Sequence, residues 1–142
     1  MERSEMRRWL AGLVLAPLLG GCAGTALLGP GAAAGAGTYA YAEGEASQAL
    51  RGGFDPVWDS TLAATQQMDL QVLDTKRDAL SGTIEARSLA NDDSVTIRVE
   101  PVDAHRTRVK VRIGVLGNEE ESQRLLRQID ERSAGSRLAA PG

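Results

Sequence analysis

The sequence predicts an α+β fold: a two-layer sandwich with two helices on one face of an antiparallel four- to five-stranded sheet, ordered β-α-β-β-β-β-α. Three observations predict it. Residues 70–113 hold four runs in which apolar and polar side chains alternate, the mark of strands with one dry and one wet face. Two other segments repeat their apolar residues at helical spacing. The connections between the four runs are short and turn-like, which permits hairpins and excludes parallel crossovers.

The elements follow in order. Glu43 to Arg51 reads as a strand closed by Gly52-Gly53. Asp55-Pro56 predicts a helix start, with Asp as N-cap and Pro at the first helical position. Val57, Thr61, Leu62, Thr65 and Met68 share one face of that helix, with Trp58 at its edge. The helix should close near Asp69, a position better suited to Gly, since Asp enters the left-handed conformation less easily. Leu70 to Lys76, Leu80 to Ser88, Ser94 to Pro101 and Arg106 to Ile113 are the four alternating strands. Arg77-Asp78-Ala79, Asn91-Asp92-Asp93 and Asp103-Ala104-His105 supply turn-like connections between them. After Gly114 and Gly117, Asn118 is placed to cap a second helix. Glu121 stands three residues on, and three consecutive glutamates face the positive end of the helix dipole. Leu125, Leu126 and Ile129 form its apolar stripe.

The wet side of the last strand carries Arg106, Arg108, Lys110 and Arg112. Keeping the apolar faces together sets Arg98 opposite Arg108 or Lys110, and Glu100 opposite Arg106 or Arg108. In the preceding hairpin, one allowed register sets Glu85 beside Arg98. The result is a striped, partly neutralised face with a basic outer strand. Arg98, Arg106, Arg108, Lys110 and Arg112 are the candidate contact residues for an acidic partner, either an envelope protein or an anionic surface. Against that stands a plain solvated face, on which exposed ion pairs contribute little.

The N-terminus is organised differently. Arg7 and Arg8 precede an apolar stretch, Trp9 to Leu19, and then Leu19-Gly20-Gly21-Cys22. Positive residues, an apolar core and small residues before a cut are the three parts of a secretory signal. Met6 begins a more orthodox signal than Met1, since Glu2 and Glu5 dilute the positive charge. The motif resembles the lipobox of bacterial lipoproteins. That resemblance implies peptidase recognition through Leu19, Gly20 and Gly21, and a diacylglycerol and an N-acyl chain such as palmitate on Cys22. A transmembrane anchor is the rival reading. The apolar core is short against the ~20 residues a spanning helix needs, and Pro17, Pro30 and several glycines interrupt its continuation. A buried or disulfide-bonded thiol is the other rival, but Cys22 is the sole cysteine. Two or more acyl chains would hold the chain firmly at a membrane.

These signals divide the chain into a signal peptide at 1–21, a lipidated Gly/Ala-rich tether at 22–42, a domain at 43–133 and a disordered tail at 134–142. Gly31 and Gly35 have the small-xxx-small spacing of packed helices, yet Gly29-Pro30-Gly31 breaks a helix there, which favours a tether. Of 16 basic and 19 acidic side chains, removal of the signal takes three and two, leaving a balance of −4. That acidity argues against nucleic acid, whose binding rests on neutralised phosphates. About 120 residues suffice for one domain.

The pattern resembles a small, uncharacterised family of Gram-negative lipoproteins. The residues that carry the likeness are Gly-Ala-Gly-Thr-Tyr-Ala-Tyr at 35–41, Asp-Pro-Val-Trp at 55–58, the charged hairpin at 94–113 and Gly-Asn-Glu-Glu at 117–120. The resemblance implies lipidation and an envelope location, and no reaction. Ala23 after the cysteine, where Asp favours retention in the inner membrane, implies the inner leaflet of the outer membrane with the domain in the periplasm.

No constellation of catalytic groups stands out. His105 is the sole histidine and sits in a turn; an enzyme would need it joined to a carboxylate such as Asp103 in a cleft. Asn91-Asp92-Asp93 lacks the spaced oxygens and glycine of a calcium loop. Trp58 at helical spacing reads as core. The expectation is a non-enzymatic lipid-anchored envelope protein without cofactor or metal. The alternatives are a module taking an apolar ligand between helices and sheet and, behind it, a hydrolase.

Overall fold

The computed structural model of the chain describes residues 38–139. Its strands are β1 (Tyr39–Ala42), β2 (Glu45–Arg51), β3 (Leu70–Arg77), β4 (Gly82–Ser88), β5 (Ser94–Asp103) and β6 (Arg106–Ile113). The helices are α1 (Phe54–Gln67) and α2 (Glu119–Ala139). The six strands form one open antiparallel sheet in the order β1-β2-β6-β5-β4-β3. Both helices pack on the same face. The meander β3 to β6 is as the alternation requires, and the inward residues of β4, β5 and β6 are buried.

Three features differ from the sequence expectation. First, there are six strands. Tyr39–Ala42, in the stretch read as tether, forms β1 and pairs with β2 through a tight turn in which Glu43 (φ 52°) and Gly44 (φ 80°) are both left-handed. Four residues of Tyr and Ala next to a Gly/Ala run give too short an alternation to read. Second, β6 is not an outer strand. β2 closes on its free side, setting Ser47 opposite Lys110 and Arg51 opposite Arg106. Third, α2 continues to Ala139, past the boundary expected for a disordered tail. Ser133 is buried and the Arg137 guanidinium donates to the Arg51 carbonyl, so packing holds a segment whose composition is weakly helical.

Helix ends follow local chemistry. The α1 N-cap is Gly53 rather than Asp55, and it makes no side-chain cap. Asp55 instead lies in the first turn, where the dipole favours a carboxylate, and pairs with Arg77. Pro56 is tolerated there because the first-turn N–H groups have no intrahelical partner. Asp69 closes α1 in the left-handed conformation (φ 53°), and its carbonyl accepts the Leu89 N–H at 3.1 Å. Asn118 caps α2 as expected, its side-chain oxygen accepting the Glu121 N–H at 3.2 Å.

The core lies between helices and sheet. Leu50, Ile84, Ile97, Val109, Val111 and Ile129 are among its closed side chains. Trp58 covers Gly82 of β4 so closely that a Cβ there would stand 2.2 Å from its ring. Phe54 stacks on Trp58 at 6.1 Å between ring centroids, and the Arg77 guanidinium lies over both rings at 5.0 and 5.7 Å. Polar groups inside α1 are satisfied locally: Thr61 Oγ1 donates to the Val57 carbonyl at 2.7 Å and Thr65 Oγ1 to that of Thr61 at 2.8 Å.

Candidate functional site

Because both helices take the same side, the opposite face of the sheet has no covering layer within residues 38–139. Its centre is built by β2, β6 and β5. The β5–β6 register sets Arg98 opposite Lys110 and Glu100 opposite Arg108, each among the pairings that the alternation allows. In the β4–β5 register Arg98 faces Thr83 and Glu85 faces Thr96, so the expected Glu85–Arg98 neighbour pair does not form. Arg98 instead reaches across β6 to Glu45 of β2, at 3.5 Å.

The five expected contact cations separate into different duties. Lys110 pairs with Glu100 at 3.0 Å, the most enclosed ion pair of the face, with side chains 25% and 34% exposed. Arg112 donates to the carbonyls of Glu43 and Val115, tying the β1–β2 turn to the loop before α2. Arg106 is drawn to Asp103 at 2.7 Å, at the end of the sheet. Arg108, exposed and flanked by Ala49 and Glu100, has no ion pair among the described residues. The open centre of the face is thus Arg108, with Arg98 and Lys110 beside it.

At the end of the sheet where β2 finishes, a groove of about 800 Å3 is lined by Arg51, Gly52, Asp103, Ala104, His105, Arg106 and Arg137. Its frame is fixed by backbone. The Gly52 N–H donates to the His105 carbonyl at 2.8 Å, and Thr107 Oγ1 donates to the Gly52 carbonyl at 3.0 Å. The groove does bring His105 and Asp103 together, but not as an acid–base pair. One oxygen of Asp103 accepts the backbone N–H of His105 and the other accepts Arg106 Nε. Those two bonds, the His105 N–H first, hold the carboxyl below the usual carboxylate range. Its lone pairs serve the turn, and the imidazole has no carboxylate partner among the described residues.

The acidic turn at 91–93 is committed in the same way. Asn91, Asp92 and Asp93 bond within their turn and to Arg87. No three His, Cys, Asp or Glu side chains converge as a metal site among the described residues. No described helix is long and apolar enough to cross a membrane.

Residues 8–132 match the family model for a protein of unknown function, DUF3568. The chain belongs to this family. A comparison with curated proteins finds no match. The DUF3568 match takes in Cys22, the six described strands and most of α2. Leu19, Gly20, Gly21 and Cys22 lie outside the described residues. Sequence reading missed Glu45 and Arg51, and also Arg137, which lies beyond the matched residues. Only the pairing of β2 with β6 brings Glu45 to Arg98 and sets Arg51 against Arg106, and that pairing joins segments about sixty residues apart.

Proposed function

We propose that this DUF3568 member is a non-enzymatic, lipid-anchored protein of the Gram-negative cell envelope, which contacts another envelope component through the uncovered face of its sheet. Cys22, acylated, holds the chain at the inner leaflet of the outer membrane, with the domain in the periplasm. The lipobox at 19–22 supports the anchor. The observation that carries the contact role is the asymmetry of the sandwich: two helices on one face and, on the other, a six-stranded surface centred on Arg108.

Arg108 stands opposite small Ala49 on one side and Glu100, whose carboxylate is engaged by Lys110, on the other, which leaves its guanidinium accessible for a bidentate acidic group. The commitment of Asp103 to its turn favours binding over catalysis. The closed interlayer, with Val99, Val109, Leu125 and Leu126 fully buried, favours a surface contact over an apolar ligand between the layers.

The test is capture from cross-linked envelopes with wild type and the charge-reversed variant Arg108→Glu. Loss of the same specific bands, with an unchanged melting profile, supports the contact. Identical bands with both proteins refute it.

A further inference from the structure

We infer that the groove at the Arg51 end of the sheet seats the phosphate of an anionic phospholipid, orienting the domain on the membrane that holds it; this rests on the lipid-anchor reading. Three arginines, Arg51, Arg106 and Arg137, line the groove against one carboxylate, Asp103, which already accepts the His105 N–H and Arg106 Nε. Arg51 stands directly opposite Arg106 in the β2–β6 register. Like charges so placed are destabilising, and a bound anion relieves them. Arg137 spends one nitrogen on the Arg51 carbonyl, and Arg106 spends Nε on Asp103, which leaves further N–H groups of each for a phosphodiester.

Three placements select a membrane as the source of the phosphate. Tyr39 pairs with Gln48 and Ala42 with Glu45, so the chain enters β1 from the Arg51 end of the sheet. The connection from Cys22 is short: fully extended it spans at most about 60 Å. The same end exposes apolar side chains suited to a headgroup layer, Leu80 (79%), Val102 (40%) and Leu138 (89%). The opposite end also exposes Val115 and Leu116. There, however, they stand beside Glu43, Asp92, Asp93 and the glutamates opening α2. Anionic lipid repels that end and attracts the other, a directional effect that fades within a Debye length of ~8 Å at physiological salt.

The experiment is hydrogen exchange of the full chain reconstituted in nanodiscs of phosphatidylcholine, with or without one part in three of phosphatidylglycerol. The expected result is amide exchange about five-fold slower over 51–53 and 103–106 with the anionic lipid, a ratio matched to the attraction of one basic residue to an anionic surface. Amides of 109–113 should be unchanged. Arg51→Ala and Arg106→Ala should each abolish the difference, and Arg108→Ala should keep it. Equal exchange in both discs overturns the proposal. So does equal protection by millimolar inorganic phosphate on neutral discs, which assigns the groove to a soluble anion. The intact mass of the same preparation reports acylation of Cys22, so a failed anchor and a failed groove give separate signals.

Discussion

Gly44 and Gly117 meet backbone to backbone: a Cβ on Gly117 would stand 2.3 Å from both the Cα and the carbonyl oxygen of Gly44. Both glycines have positive φ, 80° and 84°. One shapes the β1–β2 turn and the other opens α2, and Arg112 bonds to carbonyls on both sides of the junction. The contact ties the β1–β2 turn to the loop before α2, beside the ladder that pairs β1 with β2. Gly117→Ala combines a left-handed strain with a backbone clash, so it should cost about 2–4 kcal/mol. Urea unfolding checks it, and an unchanged midpoint would contradict this packing.

Gly82 and Trp58 make a similar pair inside the core. Gly82→Ala should destabilise by about 1–3 kcal/mol by forcing the indole off its position. Trp58→Leu in the same chain should recover part of the loss, because the smaller side chain vacates the space. A double-mutant cycle with no coupling would show that the two do not touch.

The Tyr39 hydroxyl is enclosed, lies near Glu119, and has no partner of ordinary hydrogen-bond geometry among the described residues. Burial first, then the Glu119 carboxylate, pushes the phenol above its usual range. Removing an enclosed hydroxyl that lacks a partner is neutral or favourable, so Tyr39→Phe should change stability by between zero and a gain of about 1 kcal/mol. A clear loss on thermal unfolding would mean that a Tyr39–Glu119 bond supports β1.

Acid should weaken the Arg51 end of the sheet. Asp78 accepts N–H groups from Leu80 and Ser81, and Asp103 accepts that of His105, so both carboxyls lie below the usual range when folded. A depressed folded pKa gives stability that is complete above about pH 4, the unfolded value, and lost as the pH falls from there through the folded one. Melting temperatures from pH 6 to 2 should show a shallower acid limb in Asp78→Asn with Asp103→Asn than in wild type. Equal limbs would assign the acid sensitivity to other carboxylates.

What the sequence made legible was local. Val109 and Val111 alternate with Arg108 and Lys110, which set the face of β6. Asn118 before three glutamates located the start of α2, and Asp69 took the left-handed position that the end of α1 required. What it hid was long-range. The place of β2 beside β6 depends on a contact between distant segments, and no local spacing reports it. The same pairing moved β6 from the edge to the interior and created the Arg51–Arg106 groove. The helix start slipped from Asp55 to Gly53 because a glycine turn, with no side-chain cap, serves there, while Asp55 is recruited by Arg77.

The proposed role begins at one sulfur, and the intact mass of the protein extracted from native membranes interrogates it most directly. The account predicts a polypeptide that begins at Cys22 and carries the added mass of a diacylglycerol and one further acyl chain. A full-length polypeptide with residues 1–21 attached and a free thiol would contradict it.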